Sequence, residues 1–387
     1  MADEGECRGS GVEESTLRIC LVVSTFGAGG AERVMAIMAN YWVMQGKDIT
    51  IITLSSLSDD WYKLHPQVKR VGLGLLSIST HIGLAIRNNI RRIMGLRRAL
   101  RRAHPDVVIS FLDTTNVITL LASRGLGIPV IVSERNDPHQ NSRGLAWSRL
   151  RSLLYRHAEA VVVQTCAIRD WALGLRGIKA VHVIPNPVRP IGNGSERVSR
   201  RHGSTHTITA MGRLVRQKGF DILLEAFSRC AEKHADWSLV ILGEGPNRAN
   251  LQTLAANLGI ADRVKFVGRI LEPTTILKEA DLFVLSSRYE GFPNALIEAM
   301  ACQLPVVSTD CSGGGPRDII RDGVDGILVP PEDVTALADA MDRLMANSQE
   351  RQRLGVQAAE VVERFSTDRI MKLWDDLLVR IVEPSHV

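Results

Sequence analysis

Short apolar runs recur along the chain and alternate with stretches whose apolar residues return every three or four positions. The runs indicate strands buried on both faces, and the longer spacing indicates helices. Their alternation is typical of parallel sheets covered by helices, so we predict an α/β fold. Strands are predicted at 18–24, 48–54, 68–73, 106–112, 129–134 and 160–165, and then at 206–211, 237–242, 263–267, 281–287, 305–309 and 326–329.

A stretch rich in proline, glycine and polar residues interrupts this rhythm and is typical of a linker. We place the linker at 186–205, between doubly wound domains at 17–185 and 206–365. A chain of 387 residues is long enough for two such domains, each with its own core. Residues 366–387 are predicted to form a helix that packs back towards the first domain. Residues 1–16 are acidic and polar, unlike a signal peptide, and are predicted to be a disordered tail.

The composition indicates which class of partner and which cellular compartment to expect. A net charge of +5 and a pI near 9.0 favour anionic partners such as phosphates, an acidic membrane surface or nucleic acid. The six cysteines are scattered without a C-x-x-C pair, which indicates a reducing cytoplasm. No apolar run approaches the roughly 20 residues of a membrane-spanning helix.

The stretch between the predicted strands 281–287 and 305–309 carries the most specific chemistry. A glycine-containing loop there leads into a helix that should begin near Pro293. The free backbone N–H groups and the dipole at such a helix start suit a diphosphate. Glu290 and Glu298 bracket this start and are too far apart in sequence to form an adjacent acid/base pair.

Two further glycine-containing loops follow predicted strands. In Gly212–Gly219, Arg213 and Lys218 could hold a diphosphate, although a solvated basic turn is the alternative. In the segment 27–33, Gly29 and Gly30 indicate close approach of the backbone to a phosphate or sugar, or simply a tight turn. The spacing there lacks the third glycine of a dinucleotide-binding fingerprint.

The patterns E-G-F-P-N-x-x-x-E-A and G-R-L-x-x-x-K-G resemble the signature of the large retaining nucleotide-sugar glycosyltransferase family numbered four. This resemblance implies two Rossmann-like domains that face each other across a cleft, a fold termed GT-B. It also implies transfer of a hexosyl or N-acetylhexosaminyl group from a nucleotide donor, expected to be UDP-linked, with anomeric retention. No metal or other cofactor is expected.

The resemblance assigns roles to individual residues. Arg213 and Lys218 would hold the donor diphosphate, Glu290 would contact the donor sugar and stabilise charge at the reacting carbon, and Glu298 would bind the ribose hydroxyls. Around them the donor site would be lined by Gly29, Gly30, Gly243, Arg269, Ile270, Gly291, Phe292, Asn294, Ala295 and Leu296.

One position departs from the family pattern. Many members carry a histidine where this chain has Arg135, and that histidine contacts the donor sugar or the leaving phosphate. An arginine can neutralise phosphate charge, but it cannot act as a base. Whether Arg135 or the nearby His139 takes this place is left open by the sequence.

A predicted helix over 82–103 is rich in arginine. Arg87, Arg91, Arg98, Arg101 and Arg102 fall on one side of it, and Ile86, Ile90, Ile93 and Leu100 on another. It is either an ordinary helix with a charged outer face or a surface that docks on anionic lipid headgroups. Nucleic acid is not expected to bind, because no aromatic platform accompanies the arginines.

The sequence G-G-A-E-R resembles enzymes that extend polyprenyl-linked or capsular saccharides. We therefore expect a lipid-linked saccharide acceptor near Gly29, Gly30 and the arginine-rich helix, at the cytoplasmic face of a membrane. The chain lacks a D-x-D motif, so no metal-bridged diphosphate site is predicted, and it lacks a P-loop motif. Two alternatives stay open, namely a nucleotide-sugar epimerase of the same fold and a non-catalytic scaffold that binds nucleotide sugars.

Overall fold

The computed structural model describes residues 16–77, 80–140, 144–188 and 205–382, and most of the predicted tail and of the predicted linker lies outside these ranges. The first half forms a seven-stranded sheet in the order β3-β2-β1-β4-β5-β6-β7, with every neighbouring pair parallel. Its strands are β1 (Arg18–Val23), β2 (Asp48–Thr53), β3 (Lys69–Gly72), β4 (Val107–Phe111), β5 (Val130–Ser133), β6 (Ala160–Val163) and β7 (Val181–Val183).

The second half forms a six-stranded parallel sheet in the order β10-β9-β8-β11-β12-β13. Its strands are β8 (His206–Met211), β9 (Trp237–Leu242), β10 (Val264–Gly268), β11 (Leu282–Leu285), β12 (Val306–Thr309) and β13 (Ile327–Val329). The predicted α/β class with two parallel sheets is confirmed. Strand β7 was not predicted because it is short and only half-buried, so its sequence lacks a continuous apolar run.

Helices cover the faces of both sheets. In the first half they are α1 (Gly30–Met44), α2 (Ile82–Ala103), α3 (Asp113–Ser123), α4 (Leu145–Tyr155) and α5 (Cys166–Leu173). They continue as α6 (Phe220–Ala231), α7 (Arg248–Asn257), α8 (Thr274–Glu279), α9 (Asn294–Ala301), α10 (Gly315–Ile319), α11 (Val334–Ala346), α12 (Ser348–Ala358), α13 (Val361–Arg364) and α14 (Thr367–Val382).

The last helix packs against the first half of the chain. Trp374 of α14 is fully buried and meets Trp42 of α1 edge-on, with ring centroids 6.4 Å apart. Beside it, Asp375 accepts hydrogen bonds from Trp42 Nε1 at 2.8 Å and from Lys47 Nζ at 2.6 Å. Trp374 also stacks on Phe111 at the end of β4, so α14 contributes to the core of the amino-terminal domain.

Helix α2 differs from the simple picture of a charged outer face and an apolar inner face. The five arginines noted in the sequence are exposed. Ile86 and Ile90 are exposed as well, although the periodicity predicts that they share an apolar side with Leu100, which is buried. Together with Ile82 and Met94 they form an exposed apolar stripe, whose side chains are 51% to 81% exposed. The stripe follows the four-residue spacing of one helix face, so α2 presents both apolar and cationic groups to solvent.

Candidate functional site

The carboxyl ends of the two sheets meet at a closed cleft, and this is where the predicted residues gather. Loops after β1 and β5 reach it from the amino-terminal domain, and loops after β8 and β11 from the other. Asn294 Nδ2 donates to the carbonyl of Gly30 at 3.0 Å, and Thr165 Oγ1 donates to the carbonyl of Gly313 at 2.7 Å. Parallel α/β sheets bind ligands at this edge, so the cleft is the candidate site.

Glu290 lies in the loop after β11 and is buried. Its Oε1 accepts hydrogen bonds from Lys218 Nζ at 2.5 Å and from Ser287 Oγ at 2.6 Å. A buried carboxylate is stable only when it is paired and hydrogen-bonded, and these two donors meet that need. The structure therefore joins two of the predicted catalytic residues in one ion pair.

The loop that carries Lys218 is held against β11 by Gly219. This glycine has a φ of +62° and lies so close to the carbonyl of Ser286 that a Cβ would stand 2.0 Å from the oxygen. Only glycine fits such a position without moving the backbone. Ser286 Oγ in turn donates to the carbonyl of Lys218 at 3.1 Å, so the loop and the strand end form one unit.

Arg213, at the end of β8, is exposed. Within the described ranges no acidic side chain lies at ion-pair distance from it, although its charge acts on Glu32 at the start of α1. Burial raises the pKa of Glu32, while a hydrogen bond from Thr25 and the charge of Arg213 oppose that rise. Arg213 is thus a cation at the cleft edge that can engage an anionic ligand.

Helix α9 begins at Asn294, one residue after Pro293. No side chain caps its start, so the first backbone N–H groups keep their capacity for ligand oxygens. Glu298 follows in the second turn and is buried. Its Oε1 lies 2.5 Å from Nη1 of Arg33, a residue of α1 in the opposite domain.

Asn186 connects the two domains below the cleft. Its Oδ1 accepts from Arg135 Nη1 at 2.6 Å and from Gln164 Nε2 at 2.5 Å. Its Nδ2 donates to the carbonyl of Phe292 at 3.2 Å and to Asn294 Oδ1 at 2.6 Å. Since Asn294 also bonds Gly30, one chain of hydrogen bonds runs from the β5 loop through the start of α9 to the first glycine loop.

Arg135 points into the protein interior beneath the cleft. Its guanidinium carbon lies 3.7 Å from the ring centroid of Phe111, and burial lowers its pKa to about 9. Its backbone carbonyl touches Gly291, where a Cβ would stand only 2.6 Å away. His139 is exposed instead, while the intervening Asp137 is buried and accepts a hydrogen bond from Ser312 of the other domain. A role for Arg135 or His139 towards the donor stays a prediction.

The remaining predicted donor-site loops pack together at the ends of β8, β9 and β10. Gly243 has a φ of +142°, and its N–H donates to the carbonyl of Gly268 at 2.8 Å. A Cβ at Gly243 would stand 1.9 Å from the carbonyl oxygen of Gly212, which brings this loop against the one that carries Arg213. Arg269 is exposed and Ile270 half-buried beside them.

Next to this cleft, the end of β5 carries a buried polar cluster. Tyr155 Oη donates to Glu134 Oε1 at 2.5 Å, and Asn116 Nδ2 donates to Tyr155 Oη at 2.9 Å. Arg151 lies 3.6 Å from the same carboxylate. Burial nevertheless raises the pKa of Glu134 to about 7, against the opposing effects of Arg151 and of the hydrogen bond from Tyr155.

Sequence reasoning did not assign roles to Arg33, Asn186, Ser287 or Asp137. Arg33 stands beside the glycine loop, but its partner Glu298 is 265 residues further along the chain. Asn186 was assigned to the linker because prolines flank it. The rigid Pro-Asn-Pro sequence was the one available signal that its side chain is held in place.

The chain matches two family models that together span most of its length. The one described as "Glycosyl transferases group 1" matches residues 195–361, and the one described as "Glycosyl transferase 4-like domain" matches residues 29–187. Among solved structures, sucrose-phosphate synthase from Thermosynechococcus elongatus superimposes with a TM-score of 0.83 at 19% identity, covering 95% of this chain and 100% of that one. HepE of Anabaena, solved with UDP and glucose, gives 0.76 at 18%, covering 94% and 99%.

Curated relatives of similar length are also glycosyltransferases. An α-1,4-N-acetyl-D-galactosaminyltransferase of Campylobacter jejuni, named for GalNAc-α-(1→4)-GalNAc-α-(1→3)-diNAcBac-PP-undecaprenol, is 28% identical over 94% of this chain and 99% of its own length. The amylovoran biosynthesis glycosyltransferase AmsD of Erwinia amylovora is 24% identical over 93% and 99%.

Two parallel-sheet α/β domains whose strand ends meet at a cleft give the chain the GT-B fold that these solved structures share. Both halves match glycosyltransferase models. The chain belongs to the glycosyltransferase family with group 1 and family 4-like domains, as the sequence resemblance predicted.

Proposed function

We propose that this glycosyltransferase moves a sugar from a UDP-linked donor to a lipid-linked saccharide acceptor, with retention of anomeric configuration, in glycan or polysaccharide biosynthesis. The observation that carries the donor half is the grouping of Arg213, Lys218 and the uncapped start of α9 at one edge, with Glu290 paired to Lys218. Cations and free N–H groups at one point suit a leaving diphosphate. No metal ion is proposed, and no group of three metal-ligating side chains occurs in the ranges that the structure describes.

In the proposed reaction the bond between the anomeric carbon and the phosphate oxygen breaks, and its electron pair leaves with the diphosphate. The acceptor oxygen bonds to the anomeric carbon on the same face, and its proton passes to the departing phosphate. Lys218 and Arg213 stabilise the charge that develops on the leaving group, and the carboxylate of Glu290 stabilises the positive charge on the sugar ring. The chain supplies positioning and electrostatics, so no general base of its own is required.

The donor is tested by a thermal-shift screen of the purified protein with UDP, GDP and ADP sugars. A ligand that binds only the folded state raises the melting temperature. At a ligand concentration one hundred times Kd, it adds about 2.7 kcal/mol to the free energy of unfolding. We expect a shift with UDP sugars and transfer only when a saccharide acceptor is present. Turnover of the donor into an epimer without acceptor would identify an epimerase instead, and binding without any turnover would identify a scaffold.

The acceptor half of the proposal is supported by the surface of α2. Its exposed arginines and its apolar stripe of Ile82, Ile86, Ile90 and Met94 together suit an anionic membrane face, where each basic residue contributes about 1 kcal/mol. No described helix is apolar and long enough to cross a bilayer. The relative from Campylobacter jejuni carries an undecaprenyl diphosphate-linked saccharide in its name, which supports the same class of acceptor.

Vesicle sedimentation tests this surface. We expect the protein to bind vesicles that contain anionic phosphatidylglycerol and not vesicles of phosphatidylcholine alone. Replacing Arg87, Arg91 and Arg98 by glutamine should reduce binding roughly a hundredfold, at about 1 kcal/mol for each residue. The matched control replaces Arg176, Arg229 and Arg353, which are exposed elsewhere, and should bind as the wild type does. Equal loss in both triple variants would show that net charge alone is responsible.

A further inference from the structure

An ion pair across the cleft joins the carboxylate of Glu298 to an arginine of the other domain. Arg33 Nη1 lies 2.5 Å from Glu298 Oε1, and the side chains are only 20% and 9% exposed. Arg33 belongs to α1, directly after the glycine loop, whereas Glu298 belongs to α9. The pair therefore exists only while the two domains are closed.

The surroundings leave little room beside this pair. A cavity of about 10 Å³ is lined by Arg33, Val34 and Ile37 on one side and by Pro187, Val188, Asn294 and Glu298 on the other. A space of this size holds at most a single water molecule. This space lies between the two domains, so we expect a ribose bound at Glu298 to lie beside Arg33.

A carboxylate has about four lone-pair positions, so Glu298 can accept from Arg33 and from two hydroxyl groups together. The guanidinium of Arg33 donates hydrogen bonds only, and a carboxylate accepts them through both of its oxygens. Ribose hydroxyls need such an acceptor. Without Arg33, the buried carboxylate would lose this ion pair when the cleft closes, and closure over the nucleoside would be less favourable.

We propose that Arg33 is a positioning residue for nucleoside recognition, which holds the carboxylate of Glu298 for the ribose hydroxyls and so couples ribose binding to closure of the domains. This inference rests on the proposed function, because it takes Glu298 as the ribose-binding group. The amino-terminal domain thus contributes, through Arg33, to recognition of the ribose.

Isothermal titration calorimetry with UDP and with 2′,3′-dideoxy-UDP tests the proposal. Arg33→Ala should weaken UDP binding about tenfold, within the range of typical coupling between sites. The same variant should change the affinity for dideoxy-UDP by less than about twofold, because the hydroxyls on which Arg33 acts are missing. Arg33→Lys keeps the charge without the planar fork and should fall between wild type and Arg33→Ala.

Two controls separate this role from a structural one. Lys47→Ala removes an ion pair next to the same helix, with Asp375, at a side chain that is 21% exposed, and should leave UDP affinity unchanged. In a Glu298→Gln background, Arg33→Ala should change UDP affinity by less than about twofold, since the partner is already altered. In turnover, Arg33→Ala should raise KM for the donor and leave kcat unchanged.

Tighter UDP binding by Arg33→Ala, or unchanged binding, would overturn the proposal and identify the pair as a contact that merely holds the empty cleft shut. An equal loss with UDP and dideoxy-UDP would also overturn it, because Arg33 would then act on another part of the ligand. If the wild type binds neither UDP nor GDP nor ADP, the proposed function itself fails, and this inference fails with it.

Discussion

At the scale of single residues, the central feature is the buried ion pair between Glu290 and Lys218. Each side chain is held by the other, and Ser287 adds a second donor to the carboxylate. When a diphosphate approaches, Lys218 can share its three donors between the ligand and Glu290. Because the ion pair already holds Glu290 in the free protein, its negative charge is positioned before the donor binds. No reorganisation of this side chain is then needed at the moment of transfer.

Glu290→Gln tests this charge, because it keeps the shape of the side chain and removes its ionisation. We expect kcat to fall by about 10²–10³, the range for loss of one preorganised electrostatic group. Donor affinity should change by less than about threefold, because the charge acts mainly in the transition state. Initial rates and calorimetry measure the two quantities. Glu332→Gln, at an exposed carboxylate paired with Arg288, is the control, and a kcat within about threefold of wild type for Glu290→Gln would contradict this role.

Glu134 predicts a pH dependence of stability. Its pKa in the folded protein is raised to about 7, above an ordinary value of 4.5, so the folded state binds more protons than the unfolded state between these values. The free energy of unfolding should therefore fall as pH rises through this window, by up to about 3 kcal/mol at roughly 1.4 kcal/mol per pH unit.

Chemical denaturation of wild type and Glu134→Gln at several pH values between 4.5 and 7 measures this effect. The variant cannot ionise, so its stability should decline less over the window. Parallel curves for the two proteins would show that Glu134 does not titrate there.

The sequence predicted residues whose chemistry is concentrated in short motifs, and it missed those whose chemistry depends on distant partners. Glu290 and Lys218 were identified from two motifs, and the structure brings them together. Nothing local distinguishes Arg33 from any other arginine at a helix start, because its role depends on Glu298 in the other domain. Likewise, the sequence left open whether Arg135 or His139 contacts the donor, and it could not show that Phe111 and Asn186 lie around the guanidinium of Arg135.

At the scale of elements, the strands were predictable because parallel strands buried on both faces need continuous apolar runs. Helix α2 was less predictable. Its periodicity separated arginines from isoleucines, but periodicity does not reveal which face meets the sheet, and Asn88, Leu96 and Leu100 are the buried positions. Short half-buried elements such as β7 carry too weak a pattern.

Helix α14 supplies a prediction about stability. Trp374 is fully buried between Trp42 and Phe111, so Trp374→Ala should lower the free energy of unfolding by about 3–5 kcal/mol. Leu373→Ala, one residue earlier on the exposed face of the same helix, should change it by less than about 0.5 kcal/mol. Guanidinium denaturation followed by circular dichroism compares the three proteins. Equal effects of the two substitutions would mean that α14 does not contribute to the core.

At the scale of the whole molecule, the structure is closed, and its domains are linked through side chains that belong to the site. Asn186 bonds groups from both domains, and Asp137 and Thr165 reach the loop at Ser312 and Gly313. Because these contacts lie at the cleft, opening and ligand entry involve the same residues. Domain motion is therefore expected to respond to the donor.

Small-angle scattering measures this response. The domains are linked at the cleft by hydrogen bonds and an ion pair that can break, so we expect the free protein to populate open states in solution and to show a radius of gyration larger than that of the closed structure. Saturating UDP should reduce the radius, and uridine, which lacks the diphosphate, should reduce it less. An identical radius in all three conditions would contradict a donor-driven closure.

The packing of Trp374 against the amino-terminal domain has a consequence for folding during translation. Trp42 and Phe111 are synthesised early, yet the indole that covers them arrives more than 260 residues after Phe111. While the ribosome is still translating the second half, the nascent first half must leave exposed the ring surfaces that Trp374 later buries, and exposed apolar surface favours aggregation. Premature termination before α14 would therefore harm the part of the protein that had already been completed.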